Sequence, residues 1–155
     1  MNTKHLLVAA AVLALASCAA VHEMGVAVPR AHGKPGIDHC SHATCTVDVV
    51  IDTSSKPCKI TSPHKRDGLS VKSGSVPGLV WQITGSAYVF DPQKPIEFRN
   101  SPSGTFTNPS VNGNRFSAQD NNNHVDHKGV HPYWINVQSP DGSDKCQLDP
   151  YIVNE

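Results

Sequence analysis

The segment TCTVDVVID, residues 44–52, puts Cys45, Val47, Val49 and Ile51 on one face of an extended chain and Thr46, Asp48 and Val50 on the other. Side chains alternate across a strand every two residues, so this spacing gives a strand an apolar face and gives a helix no continuous stripe. GLVWQITG repeats the pattern, with Leu79, Trp81 and Ile83 alternating with Val80, Gln82 and Thr84. In PYWINVQ, Tyr133, Ile135 and Val137 share one face. SAYVF, PIEFR, NRFSAQ and PYIVN are further short candidates, and Pro77-Gly78, Ser103-Gly104, Asn112-Gly113 and Asp141-Gly142 are turn signals. Beyond residue 20 no stretch keeps apolar residues at i, i+3, i+4 and i+7 for three turns, and the chain's 12 prolines break most helical attempts. About six to eight short strands separated by turns predict an all-β chain with one core, a single antiparallel β-sandwich over residues 38–155. Trp134 faces away from Tyr133, Ile135 and Val137; it is either an exposed ligand platform or covered by a neighbouring sheet.

The chain opens MNTKHLLVAAAVLALASCAA. Lys4 supplies a positive start, and Leu6 to Ala16 form an apolar run of 11 residues. A membrane-spanning helix needs about twenty apolar residues, so this run suits the apolar core of an export signal. The run ends in Leu15-Ala16-Ser17-Cys18, which resembles the bacterial lipobox. The resemblance implies that residues 1–17 are a lipoprotein signal peptide, that cleavage falls before Cys18, and that Cys18 carries lipid on its sulfur and at its new amino terminus. Several acyl chains together hold a protein stably where one holds it marginally. Ala19 in place of aspartate, by likeness to enteric lipoproteins, implies the outer membrane, facing the periplasm or the cell surface. A soluble periplasmic or secreted protein cut slightly later, after Ser17-Cys18-Ala19, is the alternative. Residues 18–37, rich in Pro and Gly and without period, read as a lipidated tether that spans roughly 25 Å as a coil.

Cleavage before Cys18 removes Lys4 from the 13 basic residues and nothing from the 13 acidic ones, so the remainder is nearly neutral. Such a surface draws neither nucleic acid nor an anionic membrane by long-range electrostatics. The run His64-Lys65-Arg66 is too short for a phosphate-binding stripe and reads as a solvated turn. With Cys18 lipidated, Cys40, Cys45, Cys58 and Cys146 remain, an even number that suggests two disulfides in an exported protein. The favoured pairing is a local clip, Cys40–Cys45, with a long-range staple, Cys58–Cys146; cross-pairing among the first three stays open. The staple closes a loop worth on the order of 4 kcal/mol in the chain-entropy account.

Tyr133-x-Ile135-x-Val137 followed by Cys146 resembles a cupredoxin-like or immunoglobulin-like Greek-key sandwich. Cys146, Asp149, Pro150, Ile152 and Asn154 also resemble the closing pattern of small proteobacterial envelope proteins, a likeness that implies no activity. A cupredoxin copper loop carries histidine and methionine after its cysteine, whereas Cys146 is followed by Gln147-Leu148-Asp149-Pro150. Type 1 copper is therefore excluded on ligand chemistry.

Two histidine groups are candidate Cu or Zn ligands. His124, His127 and His131 lie in DNNNHVDHKGVH, with Asp120 or Asp126 as a carboxylate. Their spacing suits a helix, but three asparagines, Gly129 and Pro132 oppose one, and on an ideal strand His124 and His127 face opposite ways. The alternative is a polar loop that feeds a core strand. His39 and His42 flank Cys40 and Cys45, where disulfide formation competes with zinc for the thiols. A calcium loop starting at Asp120, Asn122 and His124 lacks the glycine and terminal glutamate that such loops need. Hydrolase elbows, zinc-protease pairs and nucleotide-binding glycine loops do not occur in the sequence. The favoured reading is a lipid-anchored envelope β-sandwich, a non-catalytic binding or structural module that contacts a protein or glycan. A periplasmic copper or zinc protein is second, and a hydrolase is the least favoured.

Overall fold

The computed structural model describes residues 37–62 and 68–155. The export signal, Cys18, the tether up to residue 36 and the run His64-Lys65-Arg66 lie outside the described residues. Ile37, placed by sequence at the end of the tether, is already buried in the folded body.

Among the described residues, twelve strands form two sheets, joined by loops and one 3-10 turn, Val125–His127. The first sheet is ordered β1 (Asp38–Cys40), β4 (Gly68–Val71), β12 (Tyr151–Asn154), β10 (Gly129–Gln138), β11 (Lys145–Leu148), with β6 (Val89–Phe90) and β7 (Ile96–Phe98) also on β10. The second is ordered β3 (Lys59–Ser62), β2 (Thr44–Asp52), β5 (Gly78–Thr84), β9 (Arg115–Asp120), β8 (Phe106–Asn112). The expected all-β sandwich is present. Its sheets are mixed rather than wholly antiparallel, because β1–β4, β4–β12 and β2–β5 run parallel.

The alternation read from sequence sets the inward faces. Val47, Val49 and Ile51 of β2, Leu79, Trp81 and Ile83 of β5, and Tyr133, Ile135 and Val137 of β10 are all buried. Trp81, from the five-stranded sheet, is the centre of the core. Its ring meets Phe98, Phe116 and Tyr133 edge-on at centroid distances of 6.0, 5.6 and 5.5 Å. This edge-to-face geometry sets the positive ring edge of one aromatic against the negative face of another. Trp81 Nε1 donates to Tyr133 Oη at 3.1 Å, a hydrogen bond between the two sheets that satisfies both polar atoms away from water. Burial pushes the Tyr133 phenol well above its ordinary range, so the hydroxyl stays protonated.

Both disulfides also join one sheet to the other. Cys40 of β1 bonds Cys45 of β2 with a Cα separation of 5.7 Å, and Cys58, next to β3, bonds Cys146 of β11 at 5.3 Å. The first sits at the start of β2 and the second beside its far end, where Asp52 pairs with Lys59. The second clip is reinforced by Asp144, whose Oδ1 accepts from Cys58 N at 3.2 Å and whose Oδ2 accepts from Tyr88 Oη at 2.6 Å. These bonds, Tyr88's first, hold the Asp144 carboxyl below its ordinary range.

The two disulfides differ in the loop they close, with sequence separations of 5 and 88 residues. In the chain-entropy account the short clip contributes about 2 kcal/mol and the long staple about 4–5 kcal/mol. Denaturant unfolding of a Cys58→Ser/Cys146→Ser pair is expected to lose roughly twice the stability lost by Cys40→Ser/Cys45→Ser. Equal losses from the two pairs would contradict this account.

Candidate functional site

The histidines do not assemble into one ligand set. His124 and His127 bracket the 3-10 turn with ring centroids 5.3 Å apart. His127 turns its Nδ1–H to the Asn121 carbonyl at 2.8 Å. His131 is a core residue of β10, 2% exposed, with its ring edge-on to Phe106. Its Nε2–H donates to the His127 carbonyl at 2.9 Å, and its Nδ1 lies 3.1 Å from the Ser101 hydroxyl. A carbonyl only accepts, so Nε2 carries the proton and Nδ1 accepts from Ser101. Neither ring nitrogen is left for a metal. His131 is buried on the inner face of β10, whereas His124 is exposed at the start of the 3-10 turn. His39 and His42 lie at the β1–β2 corner beside the Cys40–Cys45 disulfide. A cleft of about 260 Å³ there runs between His39, Ser70, Lys72 and Glu155, and one of about 210 Å³ between His39, His42 and Thr44. Among the described residues no three His, Cys, Asp or Glu side chains are grouped to hold a metal.

Asp120 and Asn122, weighed from sequence as ligands of a loop, are instead fully buried. Asn122 Nδ2 donates to the carbonyls of Val71 and Lys72 at 2.8 and 3.1 Å. Asp120 Oδ1 accepts from Asn154 Nδ2 at 3.0 Å, and the same amide donates to the His127 carbonyl at 3.1 Å. Burial pushes the Asp120 carboxyl up to about 6, opposed by the Asn154 amide and by His127.

The outward face of the seven-stranded sheet carries a different set. Trp134 is half-buried, points away from the core, and has the exposed Arg99 guanidinium 4.2 Å above its ring. It is opposite Glu97 on β7, while Tyr151 on β12 is opposite Pro132. Tyr151 and Trp134 are thus diagonal cross-strand neighbours, roughly 7–8 Å apart at the backbone. Gly68 makes room for the Tyr151 ring: a Cβ there would lie 2.6 Å from Tyr151 Cε2.

Beside Trp134, Gln147 Nε2 donates to Asn136 Oδ1 at 2.6 Å, and Asn136 Nδ2 donates to the Lys94 carbonyl at 2.7 Å. Lys145 pairs with Asp91 at 3.2 Å and Lys94 with Glu97 at 3.2 Å. The backbone N–H of Gln93, then Lys145, hold the Asp91 carboxyl below its ordinary range. A cleft of about 250 Å³ opens between Asp91, Asn136, Lys145 and Gln147. The face combines two aromatic surfaces with planar amides and balanced charges. It offers hydrogen bonds and stacking, and no nucleophile paired with a base.

Trp134 and Asn136 follow from the alternation of β10. Arg99, Gln147 and Tyr151 come from distant segments, and no local signal in the sequence places them beside Trp134. The chain matches no known protein family and no curated protein.

The neutral His131 ring gives a pH signature. Burial, helped by the nearby His127 charge and opposed by the hydrogen bond to its carbonyl, holds His131 below its ordinary value of 6.5. The unfolded chain therefore takes up this proton more readily than the folded one. The residue's stabilising share is whole above pH 6.5 and declines as pH falls below it. Between pH 7 and 5, the native protein should lose stability relative to its His131→Gln variant, read by denaturant midpoints. An unchanged difference would show that the ring does not stay neutral.

Proposed function

We propose that this chain is a lipid-anchored envelope module that binds a glycan on the outward face of its seven-stranded sheet. Trp134 carries the reading: a half-buried, outward indole flanked by Tyr151, Asn136, Gln147, Glu97 and Arg99. A pyranose ring presents an apolar C–H face together with hydroxyls that both donate and accept. An indole takes the first, and amides and carboxylates take the second. Arg99 lies over the ring, and an exposed cation–π contact of this kind is worth only about 0.5–1 kcal/mol, small enough for a stacking sugar to displace. The near-balance of charge disfavours a strongly anionic or cationic partner.

The anchoring half rests on Leu15-Ala16-Ser17-Cys18 and on the apolar run before it. Two disulfides fit an oxidising compartment outside the cytoplasm.

The chain has 2 tryptophans, so the indole N–H signals of Trp81 and Trp134 separate the core from the face in one spectrum. Titration with soluble peptidoglycan fragments and with neutral oligosaccharides is expected to move the Trp134 signal and leave Trp81 still. Trp134→Ala should weaken binding by about tenfold or more with little change in melting temperature, as expected for a stacking anchor. No movement of Trp134 with any glycan at millimolar concentration would overturn the binding reading. Separately, Cys18→Ser is expected to shift the protein from the membrane pellet to the soluble fraction. Unchanged partitioning would overturn the lipid anchor.

A further inference from the structure

Behind the 3-10 turn, three buried side-chain oxygens among the described residues have no hydrogen-bond partner: Asp120 Oδ2, Asn122 Oδ1 and Asn154 Oδ1. Their residues are 0%, 0% and 2% exposed. Asp120 and Asn154 are joined directly, and Asn122 is linked to them through the strand pairing of β4 and β12. Asn154 donates to Asp120, and Asn122 donates to the carbonyl of Val71, the residue paired with Asn154 across β4 and β12.

The orientation of both amides is fixed. Each Nδ2 donates twice, Asn122 to Val71 and Lys72, Asn154 to Asp120 and His127. Reversing either amide would set its oxygen against two other acceptors. Several nearby donors are committed elsewhere. His127 Nδ1 is on the Asn121 carbonyl, His131 Nε2 is on the His127 carbonyl, and Lys128 Nζ is on Ser73 Oγ and the Glu155 backbone oxygen. Among the described residues these three acceptors have no hydrogen-bond donor, and the carboxylate is offset only by the Asn154 amide and the nearby His127 ring. Orphan buried acceptors are rare in native proteins and call for an occupant. A water molecule supplies donors but does not balance a buried negative charge, which is costly unless paired.

We propose that Asp120, Asn122 and Asn154 bind one hard, oxygen-seeking cation, sodium or calcium, inside the end of the sandwich. One carboxylate and two amide oxygens are the ligand chemistry of such ions, and the donor set contains no sulfur or imidazole to favour copper or zinc. A single carboxylate makes the affinity weak, in the millimolar range found in extracellular modules. Asn154 lies on β12, and Asn122 holds the end of β4. The ion therefore ties β12 to the loop after β9, independently of any glycan on the outward face.

The test uses the full chain, stripped with chelator and held in tetramethylammonium buffer. Sodium chloride and calcium chloride are added in separate melting series, against choline chloride at matched ionic strength. One of the two ions is expected to raise the melting temperature by about 5 °C at tenfold excess over its dissociation constant. Asp120→Asn should abolish the shift, and Asp91→Asn, at the surface, should keep it. Equilibrium dialysis of the wild-type chain with the responding isotope is expected to count one ion per chain. That measurement needs no variant, so it stands even if Asp120→Asn fails to fold. Fewer than about 0.2 ions per chain at 10 mM, well above weak-module affinities, would overturn the site. So would a thermal shift no larger than that of choline, or crystal density in which water at hydrogen-bond distance fills the position.

Discussion

An indole N–H inside an apolar slab has to find its acceptor across the slab. Trp81 finds the hydroxyl of Tyr133, and that contact fixes the two sheets against each other at the centre of the core. Removing either partner leaves the other buried and unsatisfied, at a cost of about 1–3 kcal/mol for a neutral group. The rings of Phe98 and Phe116 close around the same indole, so β5, β7, β9 and β10 all depend on one side chain. The two disulfides hold the sheets together at either end of β2.

With Tyr133 held inward, Trp134 must point outward, since neighbours on a strand face opposite ways. The constraint that builds the core therefore also exposes the aromatic surface on the other side of β10. The same alternation draws His131 into the core, while His124, ahead of the strand, stays in the exposed loop. The polar end of the sandwich follows a different logic. There Asn122, Asn154 and Asp120 replace apolar packing with hydrogen bonds to the ends of β4 and β12 and to the loop around His127.

The strands visible in sequence are those with one buried face. β2, β5 and β10 alternate clearly because their inner residues meet the core and their outer ones do not. β8, FTNPSVN, gives no such signal: it is an edge strand whose last five residues are exposed, so nothing selects for apolar alternation. β1 and β4 are too short to show a period, and β4 is buried throughout. The histidine run reads in sequence as a ligand set because spacing alone does not reveal that His131 already uses both ring nitrogens.

The sequence by itself determined that the segments of β2, β5 and β10 become strands, which of their residues turn inward, and that four cysteines outside the opening segment are available to cross-link the body. These properties are local, set by side-chain alternation and residue chemistry. Only the tertiary structure decided the mixed sheet order, the placement of Arg99 and Tyr151 beside Trp134, and the burial of Asp120, Asn122 and Asn154. Periodicity fixes a face but not a neighbour. Neighbours depend on strand pairing between segments far apart in the chain, which the packing of the whole core selects.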